Sequence, residues 1–222
     1  MENEKEQTIL DVDPNAKLLV TCGNSKLGRN VLKYLLEKKV PPKNIITTVR
    51  DLSKGEKWQK EGIEIRIADY KNPESLIKAF TGVDRIYFVS SLGDKDCSRE
   101  KQHSNVVDAA KKCGVRLIIY TSFVNCQNNT NAVSTDHKFT EILLEKSGLN
   151  YCIARNAIYF EILEELIKYL MKKENSTFYN SIGDKRASLA LIRELGEAGA
   201  CILLKKDLKK YMSYQDLFHT LK

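Results

Sequence analysis

From Lys17 onward, short apolar and β-branched runs alternate with longer runs whose apolar positions recur three and four residues apart. The first kind predicts strands over 17–21, 44–49, 63–67, 85–89, 115–121 and 150–154. The second predicts helices over 26–39, 53–61, 73–80, 99–113 and 134–147. The punctuation agrees. Pro41-Pro42 ends the first helix, and Asn72-Pro73 opens another with proline in its first turn. Gly62, Gly82, Gly114 and Gly148 each separate a helical run from a strand, where a left-handed C-cap belongs. Strands with helices between them give an α/β fold, a doubly wound parallel sheet with right-handed crossovers and helices on both faces.

After Arg155 the pattern changes. It predicts a helix over 159–173, a short strand over 177–180, a helix of small and apolar residues over 192–204, and a last amphipathic helix over 212–221 capped by Ser213. Residues 1–16 are polar and close on the turn Asp13-Pro14-Asn15. The expected organisation is therefore a polar extension over 1–16 and a single domain over 17–222, of which 156–222 is a reduced C-terminal part.

Composition narrows the partners. The 222 residues are 42% hydrophobic and 29% charged, ordinary for one globular domain. The net charge of +7 comes from dispersed pairs such as Lys38-Lys39, Lys111-Lys112 and Lys205-Lys206, without a block of five like charges. That reads as solvated helix ends with a mild attraction for anions such as nucleotide phosphates, not as a nucleic-acid surface. The six cysteines form no C-x-x-C pair and no metal-ligand spacing, so reduced thiols, a cytoplasmic setting and no metal are expected. No signal peptide and no run of 18 apolar residues is present, so no membrane partner is expected.

The chemistry gathers where strands end. Thr21-Cys22-Gly23-Asn24-Ser25-Lys26-Leu27-Gly28 joins the first strand to the first helix, the place where a dinucleotide's pyrophosphate meets free N–H groups in a doubly wound fold. Two of three glycine positions of that fingerprint hold Cys22 and Ser25; only Gly28 is in register, with Gly23 left to absorb the turn. The loop alone leaves binding and non-binding even. Arg50 closes the second strand, where an arginine pairs with a 2′-phosphate and so favours NADP(H) over NAD(H); otherwise it is a solvated strand end. Asp69, Ser90, Ser91 and Thr121 end the next three strands, at the crevice where ligands of open α/β sheets lie. His137 opens the helix after the fifth strand, as a proton donor or substrate contact, whereas His103 and His219 read as structural. The Tyr-x-x-x-Lys matches, Tyr34…Lys38 and Tyr169…Lys173, both miss the fifth strand and read as chance.

The runs Val-Pro-Pro-Lys-Asn-Ile-Ile-Thr-Thr-Val-Arg, Ile-Ala-Asp-Tyr, Tyr-Phe-Val-Ser-Ser, Asn-Val-Val-Asp-Ala-Ala-Lys-Lys-Cys-Gly-Val and Ala-Arg-Asn-Ala-Ile-Tyr, in that order, carry a resemblance. From about Lys17 to Leu204 the chain resembles the NmrA-like atypical short-chain dehydrogenases, closest to the NAD(P)H:quinone oxidoreductase and triphenylmethane reductase branch. The resemblance implies a Rossmann-like domain that binds NADP(H) without a Tyr-Lys pair. It places cofactor contacts on the Cys22–Leu27 loop, on Arg50, near Asp69, on the Ser90–Gly93 turn and on Asn156 to Tyr159, with His137 lining the cleft. The family loop reads Thr-Gly-Ala-Thr-Gly-x-Leu-Gly, and family members continue for a further substrate-covering lobe that is expected to be shortened or missing here.

The functions that follow are ranked. The first is an NAD(P)H-dependent oxidoreductase that transfers hydride to a quinone-like or other conjugated small acceptor, with His137, Asn156 and Tyr159 facing that acceptor. The alternative is a non-catalytic dinucleotide sensor or regulatory interaction protein with a degenerate loop, which leaves room for a protein partner. A sugar-nucleotide epimerase or dehydratase ranks third, for want of a placed Tyr-x-x-x-Lys.

Overall fold

In the computed structural model, which describes residues 12–172, 177, 188–213, 215 and 216, the alternation resolves into one main parallel sheet. The elements are β1 (Leu18–Val20), α1 (Lys26–Glu37), β2 (Ile45–Val49), α2 (Glu56–Lys60), β3 (Glu64–Ile67), α3 (Pro73–Phe80), β4 (Arg85–Phe88), α4 (Arg99–Lys112), β5 (Leu117–Phe123), α5 (Ala132–Ser147) and β6 (Tyr151–Asn156). There follow β7 (Ile158–Tyr159), α6 (Phe160–Met171), β8 (Leu189–Ala190), α7 (Ile192–Leu204) and β9 (Tyr211–Met212). The strand order is β3-β2-β1-β4-β5-β6-β9, every pairing parallel, so the winding reverses between β1 and β4. In such sheets a crevice opens at that switch point, outside the carboxyl ends of the strands.

Side-chain alternation on β1 divides the core in two. Leu18 and Val20 face one layer with Leu27, Val31, Leu32 and Leu35 of α1 and Leu195, Ala198, Ile202 and Leu203 of α7. Leu19 faces the other, with Leu76 and Phe80 of α3, Val106 and Ala110 of α4 and Leu144 of α5. Each Leu, Val, Ile or Phe among them contributes about 1.5–3 kcal/mol on burial, and together they hold the strand ends in register beneath the crevice. Gly62, Gly82, Gly114 and Gly148 all adopt φ between 67° and 81°, as their helix-ending positions require.

Several expectations change in detail. The helix over 53–61 is a 3₁₀ turn at Leu52–Lys54 followed by α2, with Gly55 between them. Val12 and Ala16 are buried against the core and Asn44 Nδ2 donates to the Pro14 carbonyl, so the chain is packed from residue 12. The helix expected from 212 begins later. Tyr211 and Met212 pair with Ile153 and Ala154 as the last strand of the main sheet. Ser213 does act as a cap: its hydroxyl accepts from the Asp216 N–H while its own N–H donates to the Asp216 carboxylate. Residues 217–221 of that helix, all but Thr177 of the strand over 177–180, and residues 1–11 lie outside the described residues.

Candidate functional site

The loop after β1 turns on Cys22, which takes the left-handed backbone conformation at φ 55°. Gly23, expected to absorb the turn, serves another end: a Cβ there would collide with Thr47 Oγ1, a buried hydroxyl that donates to the Val20 carbonyl at 2.7 Å. The Gly23 carbonyl in turn accepts from Trp58 Nε1 at 2.9 Å, so the only tryptophan of the chain reads out this loop. Gly28 is the second close approach, since a Cβ would strike the Cys22 carbonyl oxygen. Ser25 caps α1, its hydroxyl accepting from the Gly28 N–H at 3.0 Å. The N–H groups of Lys26 and Leu27 have no acceptor among the described residues. Those two donors, at the positive end of a twelve-residue helix, suit a diphosphate.

Around this loop the crevice has two halves that share Ser25, Val89, Ser90 and Leu92. The polar half, about 360 Å³, is lined by Cys22, Asn24, Arg50, Asp69, Tyr70, Lys71, Ser91 and Gln102 among others. Arg50 is exposed and makes no hydrogen bond or ion pair among the described residues. Lys71 pairs with Asp94 at 2.5 Å, and Asp69 Oδ1 accepts from the Lys71 N–H at 2.9 Å. Tyr70 closes the floor: its hydroxyl lies 2.6 Å from Thr21 Oγ1 and 2.9 Å from the Val89 carbonyl, and it accepts from the Cys22 thiol at 3.5 Å. Burial raises the Cys22 thiol above its ordinary value, so it stays protonated at neutral pH.

The apolar half, about 440 Å³, lies over the ends of β5 and β6 and under α6. Phe123, Val133, Ile158, Tyr159 and Ile162 form much of its wall, with Arg99, Ser122, His137 and Asn156 as polar members. Asn156 Nδ2 donates to the Tyr159 hydroxyl at 3.2 Å. His137 Nδ1 is 2.7 Å from the Tyr120 hydroxyl, and the ring stacks on Phe123. Burial, with the Arg99 charge adding to it, lowers the His137 pKa to about 3, so the imidazole is neutral and has no imidazolium proton to give at neutral pH.

Behind this wall stand two buried networks that the sequence pattern did not signal. His103 Nε2 accepts from the Ser91 N–H at 3.2 Å. Nδ1 therefore carries the proton and donates to Thr140 Oγ1 at 2.8 Å. Glu141, with no exposed surface, gathers donors from Ser122 at 2.5 Å, Cys126 at 3.2 Å, Gln127, and both Nε and Nη2 of Arg155 at 3.0 and 2.7 Å. Burial raises the Glu141 carboxyl, and the Arg155 and Ser122 hydrogen bonds outweigh it, holding the group below its ordinary range. Ser122 thus reaches the cleft already committed to a carboxylate, which fixes the turn after β5.

The predicted site residues divide accordingly. Cys22, Asn24, Ser25, Arg50, Asp69, Ser90 and Ser91 meet in the polar half; Ser25, Lys26, Leu27, Ser90, His137, Asn156 and Tyr159 meet in the apolar half. Thr21, Gly23, Gly28 and Thr121 line neither half. Thr21 Oγ1 accepts from the Val89 N–H at 2.9 Å and Thr121 Oγ1 from the Ser90 N–H at 2.8 Å, so both hydroxyls splice neighbouring strand ends together. Arg99 and Lys71 escaped the sequence reading. Arg99 is the first residue of a helix that follows a crevice strand, a position that faces the strand ends, and that placement was its one available signal.

Comparison with known proteins agrees with this geometry. Residues 23–192 match the model of a family described as NAD(P)H-binding. Quinone oxidoreductase 2 of Escherichia coli (strain K12) is 31% identical over 186 residues, 84% of this chain and 63% of that protein. The chain thus spans less than two thirds of that relative's length. The crystal structure of the NADPH-dependent quinone oxidoreductase from E. coli complexed with NADPH superposes with a TM-score of 0.80 at 28% identity, covering 89% of this chain and 68% of that one. The Citrobacter sp. triphenylmethane reductase complexed with NADP(H) gives 0.79 at 29% identity, with the same coverage. Among the described residues no helix is long and apolar enough to cross a membrane.

Proposed function

The chain belongs to the NAD(P)H-binding family, in its NmrA-like branch, and from that premise we propose that it is an NADPH-dependent reductase of a quinone-like or other conjugated small acceptor in the cytoplasm. The observation that carries the proposal is the join of a cation-bearing polar half to an apolar half across the β1–β4 switch point. Bound there, the nicotinamide would supply hydride; the protein supplies placement. The N–H groups of Lys26 and Leu27 and the Arg50 guanidinium, all without partners among the described residues, would hold the diphosphate and the 2′-phosphate respectively. Asp69 lies within the adenosine end, and Ser90 marks the passage to the apolar half. Asn156, Tyr159 and neutral His137 orient the acceptor by hydrogen bonds, and the walls exclude water from the reacting carbon.

A non-catalytic sensor is the second reading, favoured by one observation: Ser25 occupies the Gly28 N–H with its own hydroxyl, leaving α1 one donor fewer for phosphate. Mixing the protein with NADPH and a series of benzo- and naphthoquinones, and following nicotinamide absorbance, separates the two. Oxidation that is first order in protein supports the reductase. Saturable binding of NADPH without oxidation by any quinone of the series leaves the sensor.

A further inference from the structure

Arg99 is a largely buried charge in the wall of the apolar half. Its side chain is 7% exposed, it lines the apolar half, and it is absent from the polar half. Nε donates to the Ser91 carbonyl, which fixes the guanidinium's orientation. Its nearest carboxylate, Asp136, is 3.6 Å from Nη1 and 37% exposed, beyond hydrogen-bond distance. Neither terminal nitrogen makes a hydrogen bond among the described residues, yet neither is fully buried. The other charge on this wall, Lys26, is paired with Glu165 of α6. A largely buried guanidinium held by one carbonyl and one long, half-exposed ion pair leaves its terminal N–H groups open to an anion that would complete it.

The geometry points to Arg99 as the anion-binding residue of the acceptor pocket, selecting an apolar, aromatic-sized molecule that carries an anionic oxygen or gains one on reduction. This rests on the reductase reading for its second half. When a conjugated carbonyl compound accepts hydride at carbon, with oxidation of the reduced nicotinamide that supplies it, the π pair moves to oxygen and leaves an oxyanion. That oxygen takes its proton afterwards from water, because His137 holds none to spare. A fixed guanidinium beside the nascent oxyanion lowers the barrier to its formation, and the same charge holds a carboxylate or phenolate before reaction.

The test is calorimetric titration of the full chain with 2-naphthoate and its uncharged isostere 2-naphthamide, in wild type, Arg99→Gln and Arg99→Lys, with NADPH titrated into each. Wild type is expected to prefer naphthoate by about tenfold or more. Arg99→Gln removes that preference and leaves naphthamide and NADPH binding unchanged, while Arg99→Lys retains part of it. Equal affinity of the two probes for wild type, or a preference that survives in Arg99→Gln, overturns the proposal. So does a loss in Arg99→Gln that falls on NADPH, which would assign the guanidinium to the cofactor. The reductase reading fails separately, through absent NADPH oxidation, and a naphthoate preference without oxidation leaves Arg99 an anion-binding residue of a non-catalytic pocket.

Discussion

At the end of β1 the polar half of the crevice is shaped by main-chain geometry: Cys22 in a left-handed turn, Gly23 against Thr47, Gly28 against the Cys22 carbonyl, and open N–H groups at the start of α1. At the ends of β5 and β6 the apolar half is shaped by buried side chains, with His103 bonded to Thr140, His137 to Tyr120, and Glu141 to Arg155 and Ser122. Backbone donors depend less on side-chain identity, and with Cys22 and Ser25 at two fingerprint glycine positions the loop leaves the Lys26 and Leu27 N–H groups open among the described residues. Side-chain sites depend on every partner being present. The first half should therefore fail locally when damaged, and the second through the stability of the whole domain.

The largest effect is expected at Glu141. Glu141→Gln leaves Arg155 without its carboxylate and turns an amide NH2 toward the Gln127 and Arg155 donors, and should lower unfolding free energy by about 3–5 kcal/mol in urea titrations. A loss under 1 kcal/mol would mean that the apolar half is not held by this network.

Acid should strike the same half. The native state keeps His137 neutral down to about pH 3 and His103 well below its ordinary 6.5, whereas the unfolded chain protonates both below about 6.5. The histidines therefore cost nothing above that pH. As pH falls below it, each lowers stability by up to about 1.4 kcal/mol per pH unit. Melting curves between pH 7 and pH 5 should show this decline, and His137→Gln should make it shallower. The Glu141 carboxyl, depressed in the fold, contributes stability that is lost only at lower pH.

Gly28→Ala should cost about 1–3 kcal/mol through overpacking against the Cys22 carbonyl, with a larger proportional loss of NADPH affinity, read from Trp58 fluorescence. The smallest change is Cys22→Gly. It relieves a left-handed residue but loosens the unfolded chain, so stability should move by less than about 1 kcal/mol, while NADPH affinity holds or rises.

How far these regions were legible in the sequence follows the same divide. Loop, strand ends and helix caps are written in local spacing, so the fold, the register of Gly28 and the gathering of Arg50, Asp69 and Ser90 could be read directly. Arg99 and Glu141 could not. Each is one charged residue on an amphipathic helix, indistinguishable in spacing from a solvated face until tertiary packing buries it. Thr21 and Thr121 were legible as polar strand ends, but not the direction in which their hydroxyls bond. The two-residue strands β7, β8 and β9 carry too few residues for any period to register.

The central claim, that the crevice still holds a dinucleotide with its 2′-phosphate on Arg50, meets its most direct test in one titration. Wild type and Arg50→Ala are titrated with NADPH and with NADH, followed through the fluorescence of Trp58 beneath the loop. Micromolar NADPH binding, weaker NADH binding, and a loss of about tenfold or more for NADPH alone in Arg50→Ala are expected. No binding of either dinucleotide at millimolar concentration, or equal loss of both in Arg50→Ala, would contradict it.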